Sequence, residues 1–248
     1  MKAGAAFCLS LVLCSAGASA AGVQVAVAAN FSAPMKVLAA QFERDSGHKI
    51  LASIGATGKF YAQIRNGAPF DVLLSADDET PARLEQEGAA MAGTRFTYAT
   101  GRLVLWSAKQ GLVDDKGAVL KTANFTHLAI ANPRVAPYGA AAVQVLQKLD
   151  LLDALAPKFV QGENIAQTHQ FVASGNAPLG FVAMAQVFAQ GKLTSGSAWV
   201  VPAGMHTPIR QDAALLVRGK DNPAAAAFLK YLASPAARAV IAAYGYEI

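Results

Sequence analysis

The sequence predicts an α/β protein of two lobes, each a mostly parallel sheet flanked by helices, with strands that cross between the lobes. Three observations predict it. Short β-branched runs alternate with helix-periodic stretches along the chain, the grammar of parallel strands joined by helical crossovers. Once a removable N-terminal segment is set aside, roughly 227 residues remain, which suits two domains of about 100 residues each. The unit of strand, short junction and helix recurs in both halves, without a fixed-period repeat or a low-complexity tract.

The chain opens on an export signal over residues 1–20. Met1-Lys2 is a positive start, Phe7 to Val12 an apolar stretch, and Ala18-Ser19-Ala20 a small-residue cleavage site, so cleavage after Ala20 leaves the protein in the periplasm. The apolar stretch is too short to span a bilayer. Leu13 precedes Cys14 where lipoprotein processing needs a small residue. Both cysteines, Cys8 and Cys14, fall in this segment, so the mature chain has no disulfide and no thiolate-bound metal.

Val23 to Ala28 reads as a buried strand. After Asn30, Phe31 and Ser32, the apolar spacing of Met35, Leu38, Ala39 and Phe42 predicts a helix, with Pro34 in its first turn, where a missing N–H costs nothing. Ile50 to Ile54 leads through Gly55-Ala56-Thr57-Gly58 into a helix carrying Phe60 and Ile64. Asp71 to Ser75 is a strand, followed by a helix entered at Thr80-Pro81 and closed near Gly88. Leu103 to Trp106 is the strand of the first crossing. Leu128 to Ala131 then leads through Pro137-Tyr138-Gly139 into a helix with Val143, Leu146 and Leu149. Phe159 to Gly162 leads through Glu163-Asn164 into a helix over Ile165 to Ala173, and Leu179 to Val182 is a further strand. The chain returns near Val200 to Pro202, forms a strand over Ala213 to Val217, and ends in two helices started by Asn222-Pro223 and Ser234-Pro235. One lobe therefore takes residues 21–103 and 202–248, the other residues 104–201, with a hinge and a ligand between them.

The composition excludes several function classes. Without Lys2 there are 20 basic against 16 acidic residues, a balance of +4, and the charges are dispersed rather than interleaved with aromatics. Nucleic acid is therefore not an expected partner. His48, His127, His169 and His206 have no ligand-spaced partner for zinc. No Gly-x-Ser-x-Gly elbow marks a hydrolase nucleophile. Gly58-Lys59 looks like the end of a phosphate-binding loop, yet Ser53 stands where its first glycine belongs and Phe60 replaces its metal-binding hydroxyl. Asp77, Asp78 and Glu79 precede a helix start, where carboxylates favour the dipole. No enzymatic activity is expected.

What remains is four strand-to-helix junctions: Ala29-Asn30, Ala56-Thr57-Gly58, Tyr138-Gly139 and Asn164-Ile165. In open α/β sheets, ligands bind beyond the carboxyl ends of the strands, where these junctions lie. Each helix start offers free N–H groups and a partial positive charge. Two junctions fall in each lobe, so converging helix starts can hold a dianion without Arg or Lys. Ordinary loop caps read the same way.

The junctions are also where the sequence resembles a known family, the periplasmic molybdate-binding proteins of ABC transporters. The matching segments are Val25-Ala26-Val27-Ala28-Ala29-Asn30-Phe31-Ser32-Ala33-Pro34-Met35, Gly55-Ala56-Thr57-Gly58-Lys59, Gly67-Ala68-Pro69-Phe70-Asp71-Val72-Leu73-Leu74-Ser75-Ala76-Asp77, Ala177-Pro178-Leu179-Gly180 and Tyr244-Gly245-Tyr246. They run in one order over essentially the whole mature chain. The resemblance implies a two-lobed periplasmic-binding-protein fold and molybdate or tungstate as ligand, with no cofactor. It implies delivery by a monomer to the membrane subunits of an ABC importer. Carried over position by position, the ligand contacts fall on Asn30 with Ala29 beside it, Thr57, Tyr138 and Ile165. Donation is by side chain and backbone at Asn30 and Thr57, and by backbone at Tyr138 and Ile165, so molybdenum is held only as molybdate, through hydrogen bonds. One branch of the family has Ser in place of Asn30 and a ligand-bonding Tyr in place of Ala183, and the chain looks closer to a second branch. The residues themselves do not rank molybdate above sulfate or phosphate, and an exported hydrolase would need a nucleophile–base pair that the junctions lack.

Overall fold

The structure is a computed structural model that describes residues 22–248; the export signal, Cys8, Cys14 and the cleavage site lie outside the described residues. The first stretch runs β1 (Gly22–Ala28), a 3-10 turn (Ala29–Phe31), α1 (Ser32–Ser46), β2 (Lys49–Gly55), α2 (Thr57–Arg65), β3 (Val72–Leu74), α3 (Glu79–Gln86) and β4 (Phe96–Gly101). The middle stretch runs β5 (Leu103–Ser107), α4 (Val119–Thr122), β6 (Leu128–Ala131), α5 (Pro137–Lys148), α6 (Leu152–Leu155), β7 (Phe159–Gly162), α7 (Ile165–Ala173), β8 (Leu179–Ala183) and α8 (Met184–Val187). A short hairpin of β9 (Phe188–Ala189) and β10 (Lys192–Leu193) leads to β11 (Ser197–Val200). The chain returns through β12 (Ile209–Leu215) and closes with α9 (Pro223–Leu232) and α10 (Pro235–Ala243).

Two five-stranded sheets result, in the orders β2-β1-β3-β12-β4 and β11-β5-β8-β6-β7. β1 lies parallel to β2 and β3, while β12 is antiparallel to β3 and β4, so four strands share a direction and β12 opposes them. In the second sheet β6 is parallel to β7 and β8, and β5 is antiparallel to β8 and β11. The opposed strand of each sheet is the one that enters directly from the other lobe, without a helical crossover to restore its direction.

The longer helices are where their signals place them, whereas the one-turn helices α4, α6 and α8 are not predicted. α1 buries Pro34, Met35, Leu38 and Phe42 and ends at Gly47, whose φ of 73° closes it with an N–H bond to the Glu43 carbonyl. Asn164, Asn222 and Ser234 cap α7, α9 and α10 with side-chain oxygens. Each lobe has its own core: Val25, Val27, Leu38, Phe42 and Phe228 in the first, Leu103, Leu105, Ile130, Leu146 and Phe181 in the second. Burying each such side chain contributes about 1.5–3 kcal/mol. Among the described residues no helix is long and apolar enough to cross a membrane.

The short hairpin of β9 and β10 is not predicted, β11 precedes the expected return near Val200, and two longer strands also differ from expectation. β4 is not predicted at all, because Phe96-Thr97-Tyr98-Ala99-Thr100-Gly101 lacks an apolar run. β12 starts four residues before the expected Ala213 and stops at Leu215, and Val217 belongs to a 3-10 turn, Val217–Gly219. The early part of β12 holds Gln211 and Asp212, both buried, whose polarity hides a core strand from hydropathy.

Candidate functional site

The four junctions meet at one small cavity between the sheets. Ala29, Asn30, Thr57, Tyr138 and Ile165 all line it, together with Ala28, Ala56, Ala136 and Asn164. It is tight, with about 10 Å³ open to the centre of a water-sized sphere, roughly what a single water needs. None of its lining residues is a His, Cys, Asp, Glu, Lys or Arg.

Local bonding decides which N–H groups face this space. At α7, the Asn164 side chain takes the N–H groups of Ala166 and Gln167, at 3.0 Å each, and the Asn164 carbonyl takes that of Thr168. No cap bond takes that of Ile165. At α5, Pro137 has no N–H, and Gly139 and Ala140 bond the Ala136 carbonyl, which leaves Tyr138 as the first donor. At α2, Lys59 and Phe60 bond the Ala56 carbonyl and Gly58 bonds across to Val135, leaving Thr57. The Thr57 hydroxyl accepts the Ala76 N–H at 3.0 Å. A hydroxyl has a single proton, and with an acceptor position filled from behind, that proton is available to the cavity.

Asn30 is held differently from expectation. Its Nδ2 donates to Gln211 Oε1 at 2.8 Å and to the Tyr246 hydroxyl at 3.0 Å, which accounts for both amide protons. Tyr246 returns a bond to the Asn30 carbonyl at 2.8 Å. In this arrangement the carboxamide braces the wall of the cavity. Ala183 lies outside the lining, with its N–H on Gln186 Oε1, and Gln186 Nε2 donates to the Ile165 carbonyl. Sequence reading missed Gln211, Tyr98, Gln186 and Gly101. Of the residues behind the cavity, Tyr246 and Ser75 belong to segments it had marked.

The lobes touch at the cavity rim. The Gly58 N–H donates to the Val135 carbonyl at 2.9 Å, and Lys59 Nζ meets Glu163 Oε2 at 2.7 Å. A Cβ at Gly58 would stand 2.9 Å from the Val135 Cα, so only glycine permits this approach. The acidic triplet serves α3: Asp77 accepts the Thr80 N–H at 2.8 Å and the Ser75 hydroxyl at 3.0 Å. His169 stacks on Trp106, and the described residues contain no group of three metal-ligating side chains.

Burial pushes the Tyr98, Tyr138 and Tyr246 hydroxyls above their ordinary value. They stay neutral, and a tyrosinate that would repel an anion forms only above about pH 10. Burial also raises Asp77, which touches the site through Ser75. A raised carboxyl favours its neutral folded form, so acidification removes negative charge behind Thr57. Anion affinity should therefore not be weakened by the titration of Asp77 as pH falls. Titrations at several pH values check this; a steep loss across neutrality would place an ionising donor in the site.

A model of the bacterial extracellular solute-binding protein family matches residues 23–247. The molybdate-binding protein ModA of Azotobacter vinelandii is 64% identical over 236 residues, 95% of this chain and 94% of the relative. That of Rhodobacter capsulatus is 51% identical over 247 residues, 99% and 96%. A solved Azotobacter vinelandii periplasmic molybdate-binding protein superposes with a TM-score of 0.88 at 44% identity, covering 91% of this chain and 99% of the other.

Proposed function

The chain belongs to the bacterial extracellular solute-binding protein family, and with that premise we propose that it captures molybdate between its lobes and delivers it to an ABC importer. The observation that supports the reading is the meeting of helix starts from both lobes, at Asn30, Thr57, Tyr138 and Ile165, around one small cavity without a charged side chain. Neutral donors at positive helix ends suit a compact dianion, and bonds to a charged acceptor contribute about 1.5–3 kcal/mol each. Tungstate, with the same charge and shape, binds the same donors. Both walls come from one chain, so the binding unit is a monomer.

Export through residues 1–20 places the protein in the periplasm, where the importer's membrane subunits receive it with its ligand. The boundary residues of the lobes follow the crossings near Leu103 and Pro202, and the cleft closes by hinge motion there. No nucleophile–base pair lines the cavity, which favours transport over hydrolysis. A sulfate- or phosphate-binding role is the second reading, since the same donors serve any tetrahedral oxyanion.

Molybdate should raise the melting temperature in the presence of a chelator. A ligand at about 100 Kd that binds only the folded chain adds roughly 2.7 kcal/mol. A melting curve unmoved by millimolar molybdate but shifted by sulfate or phosphate would replace the first reading with the second.

A further inference from the structure

Gln211 is polar, wholly buried, and bonded to three residues that otherwise share no bond to one another's side chains. Its Oε1 accepts from Asn30 Nδ2 at 2.8 Å and lies 3.1 Å from the Tyr98 hydroxyl; its Nε2 donates to the Tyr138 hydroxyl at 3.2 Å. We propose that Gln211 is the positioning residue that couples the two lobes, holding the Asn30 carboxamide of one and the Tyr138 hydroxyl of the other in a single network behind the ligand. The inference rests on the proposed function and deepens it.

Three features are built around this side chain. The ladder between β12 and β4 slips between Gln211 and Asp212, a bulge that lets two successive residues both bury; bulges re-aim side chains in this way beside binding sites. Gly101 ends β4 next to the first crossing, and a Cβ there would stand 2.0 Å from the Tyr138 hydroxyl and 2.6 Å from Gln211 Nε2. The C-terminal segment brings Tyr246 onto both the amide and the carbonyl of Asn30. An apolar side chain would fill the same core without needing partners, and a buried amide is costly unless its bonds are made. The network's two ends are the two residues whose backbones reach the cavity from opposite lobes. Opening the cleft carries Tyr138 away from Gln211, so their bond exists only in the closed, ligand-holding form.

The test compares the parent mature chain with Gln211→Leu, Tyr138→Phe and the double variant, measuring molybdate affinity, ligand dissociation rate and melting temperature without ligand. Each single change should weaken binding about tenfold, mostly through faster dissociation, the size of one lost bond in a buried network. The double variant should bind no worse than the weaker single one. Tyr138→Phe should leave the ligand-free melting temperature unchanged, which a merely structural hydroxyl would lower. Because Gln211→Leu strands the Asn30 amide and risks misfolding, Tyr138→Phe decides alone if that variant does not fold. Parent-like affinity in Tyr138→Phe, or losses that multiply in the double variant, would overturn the inference. A parent that binds no molybdate overturns the proposed function instead.

Discussion

Asn30→Asp should abolish molybdate binding at pH 8. The substitution places a carboxylate in the wall directly behind the cavity, and two unit charges about 4 Å apart repel by about 4 kcal/mol at an effective dielectric of 20, roughly a thousandfold in affinity before the anion's second charge is counted. It also replaces the two protons that Gln211 and Tyr246 accept with lone pairs. The buried carboxyl titrates high, so binding returns in part near pH 5, where the group is neutral. Calorimetric titrations at the two pH values read both effects. Parent-like affinity at pH 8 would show that the anion binds away from Asn30.

Gly58→Ala should weaken molybdate binding while leaving the ligand-free protein as stable as the parent, or more so. The new Cβ would meet the Val135 Cα at 2.9 Å and its carbonyl oxygen at 3.2 Å, backbone atoms that cannot rotate aside. Forcing such overpacking costs about 1–3 kcal/mol, or roughly 5- to 150-fold in affinity. Lobes parted at this contact would be free of the clash. There alanine in the first turn of α2 stabilises by about 0.4–1 kcal/mol through the unfolded chain. Small-angle scattering should show that excess molybdate compacts the parent and fails to compact the variant. Equal compaction would mean that Gly58 and Val135 do not meet on closure.

How much of this was legible in sequence depended on what kind of signal each part left. Local signals were faithful: the junction Glu163-Asn164 marked the entry to α7 at Ile165–Ala173, and β1, β2 and β6 announced themselves as largely apolar runs. The lining residues were found because helix starts are local features, aided by the family resemblance. The support behind them was not found. Gln211 and Asp212 look like surface residues until their partners are known, and those partners lie far along the chain: Asn30, Tyr98 and Tyr138 for one, Arg95 and Thr97 for the other. β4 was invisible for the same reason, since its Thr97 and Tyr98 are strand residues satisfied only by β12 and the site. The role expected of the Asn30 carboxamide failed to anticipate Tyr246, which arrives from the opposite end of the chain and takes one of its protons.

The central claim is that a cavity lined by neutral donors from both lobes holds molybdate, and isothermal titration of the mature chain tests it most directly. With chelator present, molybdate should bind one per chain, and the affinity should hold when metal ions are removed. Sulfate and phosphate at the same concentration should displace it poorly. No heat with molybdate, alongside saturable binding of sulfate or phosphate, would contradict the account.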